Sequence, residues 1–279
     1  MLSTFLISLR EGLEAALIIG ILVAYLVRSA RTNALKYLWA GVATAGILAL
    51  LFGGLLTYTS LNLSVRGEQL FAGTTSLAAV VLVTAMVFWM KRSARSIAGQ
   101  LHGKVDTALT MGNFALAAVA FLSVGREGLE TSLFLYADFK TVNHDTAPLA
   151  GLLLGLASAV ILGVLLYKRS IKINLSKFFR VTGLALLVVA AGVLIHGIGE
   201  LQNRGSIPGS HSFAWNFSAG SGILITVLDG TFGIANAMTV LQLSIYILYL
   251  ALTLTWFLKA LPLSAPTPLE SKTTSQANA

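Results

Sequence analysis

The sequence predicts an all-α, multi-pass membrane protein with seven transmembrane helices. Two properties carry this prediction: 56% of the 279 residues are hydrophobic while only 11% are charged, and the apolar residues form long uninterrupted segments. Soluble globular domains average about 25% charged residues, so an ordinary soluble enzyme, a fibrous chain and a disordered chain are excluded. A third observation, a repeated charged motif, divides the first six helices into a 3+3 inverted repeat and leaves the seventh outside it.

Seven segments reach the length of about 20 mostly apolar residues that a bilayer crossing needs. In chain order they cover residues 2–27, 35–59, 69–90, 113–137, 149–167, 181–198 and 240–258. They predict one transmembrane domain over residues 1–262, with repeat one at about 1–90, repeat two at about 112–200, an outer segment at 201–239 and the last helix at 240–258. For residues 206–237 a loop, a surface helix and a short re-entrant segment stay open. Residues 263–279 are expected to form a disordered cytoplasmic tail.

The loops between these segments differ in their content of basic residues. The odd-numbered loops hold twelve Lys and Arg, whereas the even-numbered loops hold only Arg66, Lys140 and Arg204. Because cytoplasmic loops collect Lys and Arg, the N-terminus is expected outside the cell membrane and the C-terminus in the cytoplasm. The net charge of +8 then reflects topology. The expected partner is the lipid bilayer, with no nucleic acid.

An identical pentapeptide, Arg-Glu-Gly-Leu-Glu, lies within the first and the fourth apolar segments, at residues 10–14 and 126–130. Phe5-Leu6 and Phe121-Leu122 match at the same offset of 116 residues. The match predicts an internal repeat. Because the first segment would run inward and the fourth outward, segments one to three and four to six form an inverted-topology pair. That architecture places the substrate site near the bilayer midplane.

Each pentapeptide presents two glutamates at i and i+3 on one helical face, with an arginine four residues before the second. A charged group at a helix centre costs about 2.5–3.5 kcal/mol in a membrane, so six of them indicate a function. The formal charges sum to −2, and hard multivalent cations prefer oxygen ligands. The predicted metal ligands are Glu11, Glu14, Glu127 and Glu130, supported by Arg10, Gly12, Arg126 and Gly128. For the arginines, salt bridges that only hold the bundle together remain an alternative.

At these residues the sequence resembles the oxidase-linked iron permease family, which comprises fungal high-affinity iron permeases and bacterial EfeU-type iron permeases. The family's hallmark is Arg-Glu-Gly-x-Glu in the first and fourth of seven membrane helices, and both copies are intact here. The similarity extends to residues 86–90, 197–202 and 229–233. Members of that family often carry an acidic residue at the position of Ala72 and a histidine at that of Gly199.

The resemblance implies an iron permease, not an enzyme, that imports iron across the cytoplasmic membrane with Fe(III) bound by the four motif glutamates. Iron is then the transported substrate, with no tightly bound cofactor. The resemblance also implies an extracytoplasmic partner that oxidises or delivers iron, either a multicopper oxidase or a periplasmic protein. Two alternatives stay open: a membrane-embedded metal-dependent oxidoreductase, and a channel or transporter for another multivalent cation. Di-iron sites usually use Glu-x-x-His rather than the Glu-x-x-Glu found here.

Further ionisable residues fall near the expected outer side, where they would concentrate cations by electrostatic focusing. We define this candidate outer vestibule by Asp138, Glu200, Glu68, Asp229 and His196. His196 and Glu200 share a helical face, and Asp138 lies three turns after Glu127. The alternative for each is a solvated loop or cap residue. Trp89, near the end of the third segment, is expected to lie in the interfacial aromatic belt.

Overall fold

The computed structural model describes residues 2–93, 107, 111–141, 147–168, 174–216, 233–234 and 236–259. Within these residues the chain forms seven long helices: α1 (Leu2–Arg28), α2 (Leu35–Leu61), α3 (Val65–Ser93), α4 (Asn113–Thr141), α5 (Ala147–Tyr167), α6 (Leu175–Asn203) and α7 (Val240–Lys259). A 3₁₀ turn, Thr32–Ala34, joins α1 to α2. The predicted all-α architecture is confirmed, and each helix covers one of the seven apolar segments.

Five of these helices, α2, α3, α5, α6 and α7, are long and apolar enough to cross a membrane. Helices α1 and α4 are comparably long but carry the charged pentapeptide in their middle. Large apolar side chains are exposed along several helices, among them Leu50 (78%), Val81 (67%) and Leu153 (59%). Extended apolar surface of this kind is typical of contact with lipid. The chain is therefore a multi-pass membrane protein.

The helices of the N-terminal half pack against those of the C-terminal half. Helix α1 packs against α5, α2 against α4 and α3 against α6, while α1 and α4 also contact each other. A Cβ atom added at Gly12 would lie 2.8 Å from the Cβ of Ala159 on α5, and one added at Gly128 would lie 2.8 Å from the Cβ of Ala49 on α2. Small residues at membrane-helix interfaces allow such close approach. The motif glycines therefore seat α1 and α4 against their neighbours.

The largest apolar core lies between α3, α4 and α6, with contributions from α1 and α7. It includes Val83 and Met86 of α3, Phe134 of α4 and Leu187 of α6, all of them buried. Through Ile7 of α1 and Phe134 of α4, this core includes one side of each helix that carries a pentapeptide.

A small sheet, which the sequence did not predict, begins within residues 206–237 and ends at Thr239. Strand β1 (Phe213–Asn216) pairs antiparallel with strand β2 (Ala237–Thr239). Two hydrogen bonds connect this region to α6. Thr239 Oγ1 donates to Gln202 Oε1 at 3.1 Å, and Gln242 Nε2 of α7 donates to the Ile195 carbonyl at 3.0 Å. The apolar run at 222–228 and the expected tail at 263–279 lie outside the described residues.

Candidate metal centre

Carboxylates from both pentapeptides meet where α1 and α4 contact each other. Glu11 and Glu14 of α1 and Glu127 of α4 each offer one oxygen, and these three atoms all lie within 4.8 Å of one another. All three residues are buried. We call this group the three-carboxylate cluster. The structure thus brings together three of the four predicted ligands, from two parts of the sequence 116 residues apart.

The fourth predicted ligand, Glu130, lies at the edge of this cluster. Its Oε1 accepts a hydrogen bond from Arg126 Nε at 2.9 Å, while its buried Oε2 has no hydrogen-bond partner. Glu130 is close enough to Glu11 and Glu14 to repel them electrostatically. Glu130 Oε2 is thus without a hydrogen-bond donor, and a ligand role for this residue stays a prediction.

The two motif arginines bind their glutamates in the same way but differ in burial. Arg10 Nε donates to Glu14 Oε1 at 3.0 Å, and its side chain is 1% exposed, whereas the Arg126 side chain is 45% exposed. The guanidinium of Arg126 lies over the ring of Trp89, with Cζ 4.7 Å from the ring centre. Trp89 was expected only as part of the interfacial aromatic belt, but it also contacts a motif residue. The sequence carried no signal for this contact because it depends on how α3 packs against α4.

Several carboxylate oxygens of the cluster have no hydrogen-bond donor. Both oxygens of Glu11 and the Oε2 atom of Glu127 are buried without a hydrogen-bond partner. Buried polar atoms are normally hydrogen-bonded, and buried charges are paired or coordinate metals. Oxygen-only ligands suit hard multivalent cations. The residues present therefore fit a bound cation of high charge.

Three of the predicted vestibule residues lie near one another, where the end of α6 meets the start of α3. Glu68 Oε1 accepts from Lys140 Nζ at 2.7 Å, and His196 Nε2 lies 4.0 Å from Glu200 Oε1. Glu200 lies within electrostatic range of both Glu68 and Lys140. His196 and Glu200 also line a cavity of about 170 Å³ together with Gln242. These side chains form a polar group separate from the three-carboxylate cluster.

The other two vestibule residues are placed differently. Asp138 is 2% exposed and accepts a hydrogen bond from Ser3 Oγ at 3.0 Å, and it also bonds Thr4. A carboxylate at this point stabilises the first turn of α1, where backbone N–H groups lack partners within the helix. Asp229 lies outside the described residues. A vestibule function for these residues stays a prediction.

Comparison with known proteins identifies the family. The profile described as "Iron permease FTR1 family" matches residues 1–265. The chain belongs to this family. The resemblance predicted from the two pentapeptides is thereby confirmed over nearly the whole chain, and membership assigns the protein to a class of permeases rather than of enzymes.

Curated relatives in this family are similar to the chain over almost its full length. The "Ferrous iron permease EfeU" of Shigella sonnei (strain Ss046) is 39% identical over 264 residues, which cover 92% of this chain and 95% of the relative. The protein of the same name from Yersinia pestis is 37% identical over 252 residues, covering 88% and 89%. No solved structure matches the chain.

Proposed function

We propose that the protein is an iron permease that carries iron inward across the cell membrane and binds the ion with Glu11, Glu14, Glu127 and Glu130. The observation that carries the proposal is the three-carboxylate cluster, with oxygens within 4.8 Å of one another between two apolar helices. Membership of the iron permease family and the name of the relatives support iron as the cation.

The charge of the site supports a multivalent ion. Four glutamates and two arginines sum to −2, so a di- or trivalent cation brings the site close to neutral, which lowers the cost of burying it. The oxygen-only ligand set favours the harder ion, and we propose Fe(III) as the bound form. An extracytoplasmic protein that oxidises or delivers iron, a multicopper oxidase or a periplasmic protein, would then supply it on the outer side.

We further propose that all seven helices cross the membrane and that α1–α3 and α4–α6 form an inverted repeat. The contacts of the motif glycines support the inverted repeat. Gly12 faces Ala159 and Gly128 faces Ala49, each at a Cβ distance of 2.8 Å. The glycines differ by 116 residues and the alanines by 110, so the contact of α1 with α5 corresponds to that of α4 with α2.

The third pair of helices follows the same relation. A Cβ atom at Gly73 would lie 3.0 Å from the Gly197 carbonyl oxygen, and one at Gly183 would lie 3.2 Å from Val87 Cγ1. An offset of 110 residues takes Gly73 to Gly183 and Val87 to Gly197. The packing of α3 on α6 is thus consistent with a twofold relation between the halves. In transporters built this way, one half rocks against the other around a site at the midplane.

The distribution of basic residues supports the direction of transport. The loop preference for Lys and Arg favours an outer N-terminus and a cytoplasmic C-terminus. Glu68, His196 and Glu200 would then lie on the outer side of the motif glutamates, on the path of an incoming ion. The negative charges of Glu68 and Glu200, partly offset by Lys140, would raise the local cation concentration.

Uptake of radioactive iron into proteoliposomes tests the proposal. We expect Glu14→Gln and Glu130→Gln each to lower the initial rate at least about tenfold, because loss of one charged ligand to a cation exceeds the 1.4 kcal/mol that corresponds to tenfold. Glu270→Gln, in the polar C-terminal tail, is the matched control and should transport like the wild type. Motif variants that transport as fast as the wild type would overturn the proposal.

The oxidation state is tested in the same vesicles. Iron supplied as a ferric chelate is compared with iron kept reduced by ascorbate, and excess Mn²⁺ or Zn²⁺ is added as a competitor. Faster uptake of ferric iron, with weak competition by the divalent ions, is the expected result. Uptake of ferrous iron alone would refute Fe(III) as the bound form, and efficient transport of Mn²⁺ would favour a less selective cation transporter.

A further inference from the structure

The two motif arginines differ in their surroundings although they occupy matching positions. Arg10 and Arg126 each donate from Nε to the glutamate four residues later, at 3.0 and 2.9 Å. Yet the first side chain is 1% exposed and the second is 45% exposed. Because the two pentapeptides are identical, the cause of the asymmetry lies outside them.

A tryptophan on α3 is one element of these differing surroundings. The Arg126 guanidinium carbon lies 4.7 Å from the centre of the Trp89 ring, within cation–π range. The offset of 110 residues that relates α3 to α6 assigns Gly199 to the position that corresponds to Trp89. A glycine has no ring on which Arg10 could stack. The two repeats therefore differ in sequence at the position that contacts the motif arginine in the second of them.

The exposed part of the Arg126 side chain is expected to contact water rather than lipid. Arginines within membrane helices face the bundle interior or a water-filled cavity, because contact of the charge with acyl chains is unfavourable. Trp89 lies about one turn before the end of α3 at Ser93, and Lys91 and Arg92 follow it. The proposed orientation places these basic residues at the cytoplasmic side. Arg126 thus marks the cytoplasmic side of the motif site.

We propose that Trp89 is a positioning residue for iron transport: it holds the Arg126 guanidinium against Glu130, on the cytoplasmic side of the site, so that the guanidinium does not bridge the three-carboxylate cluster. The charge of Arg126 still reaches Glu14 and Glu127, but its hydrogen bond is to Glu130. The inference rests on the proposed function. A free guanidinium competes with a metal cation for the same carboxylates, since both are attracted to them. With Arg126 stacked on Trp89 and bonded to Glu130, the cluster stays available to the incoming ion.

Iron uptake by Trp89 variants tests this role. Proteoliposomes are assayed over a range of iron concentrations. We expect Trp89→Leu to raise the KM for iron about five- to tenfold and to leave the maximal rate within about twofold, as loss of a partly desolvated cation–π contact implies. Trp89→Phe keeps a weaker aromatic face and should lie between. Trp256→Leu is the matched control: this tryptophan is 57% exposed and packs on Phe88 instead.

A double variant separates positioning from a general structural effect. Arg126→Gln removes the competing charge, so Trp89→Leu should raise KM no further in that background. Equal increases in both backgrounds, or an unchanged KM in the folded Trp89→Leu protein, would overturn the proposal. A thermal melt in detergent reports folding. If Trp89→Leu does not fold, Trp89→Phe decides: a raised KM supports the role and an unchanged KM overturns it.

Failure of the proposed function gives a different result. Wild-type vesicles that take up no iron would overturn the permease proposal, and the role of Trp89 is then read from iron binding to the purified protein by equilibrium dialysis. Weaker binding by Trp89→Leu, absent in the Arg126→Gln background, supports the positioning role. Unchanged binding overturns it.

Discussion

Arg10 lies inside the bundle with its guanidinium almost wholly removed from solvent, while Arg126 is open on one side. Arg10 Nη1 is also buried without a hydrogen-bond partner. Removing one partner of a buried ion pair leaves the other charge uncompensated, which costs about 3–5 kcal/mol, whereas exposed pairs contribute about 0.2–1 kcal/mol. The two identical motifs should therefore differ in their contribution to stability.

Thermal unfolding in detergent tests this difference. We expect Arg10→Gln to lower the melting temperature markedly, because it leaves Glu14 without its charged partner in a buried site. Arg126→Gln should lower it less, since Arg126 is partly solvated. Equal losses in the two variants would contradict the asymmetry that the structure shows.

At the scale of the helices, close contact between small residues holds α1 on α5 and α4 on α2. The contact of Gly12 with Ala159 leaves no room for a methyl group, since the two Cβ atoms would be 2.8 Å apart. By contrast, a Cβ atom at Gly46 of α2 would meet nothing within 4 Å. Glycine in a helix interior costs about 1 kcal/mol relative to alanine. Replacing glycine with alanine should therefore destabilise the protein at Gly12 and leave it unchanged or stabilise it at Gly46.

The alanine variants of these two glycines test helix packing directly. Gly12→Ala should lower the melting temperature and reduce iron uptake, because α1 must shift relative to α5. Gly46→Ala should leave both unchanged or raise the melting temperature slightly. The double variant Gly12→Ala with Ala159→Gly restores the space and should recover stability. Failure of this rescue would show that the contact does not set the helix spacing.

The apolar segments of the sequence predicted which parts of the chain are helical, but they predicted the helix ends less accurately. Helix α6 begins at Leu175 and α4 continues to Thr141, beyond the predicted 181–198 and 113–137 segments, because polar and charged residues at helix ends interrupt the apolar signal. Strands β1 and β2 were missed because four and three residues are too few for a recognisable alternation.

The site was predicted in composition but not in geometry. The i, i+3 spacing placed each glutamate pair on one helical face, and the pentapeptide match placed the two pairs in related helices. The sequence did not separate Glu130 from the three-carboxylate cluster. It also did not show that Lys140 pairs with Glu68 or that Trp89 stacks on Arg126. These contacts depend on long-range packing that local spacing does not encode.

At the scale of the whole molecule, inward transport through the proposed site requires one orientation in the membrane. The sequence contains no cysteine, so single introduced thiols give an unambiguous reading. We expect Ser206→Cys, in the loop after α6, to react with a membrane-impermeant maleimide added outside intact cells. Ser29→Cys, in the loop after α1, should react only after permeabilisation. The reverse pattern would invert the proposed topology and with it the direction of import.

The proposed transport depends on iron binding at the glutamates of the two pentapeptides. The most direct measurement is a structure of the iron-loaded protein with the metal located by its anomalous scattering. We expect one iron within about 2.0–2.6 Å of oxygens from Glu11, Glu14, Glu127 and Glu130, the usual range for metal–carboxylate bonds, and its loss in Glu14→Gln. Iron bound elsewhere, with these glutamates free of metal, would contradict the proposal.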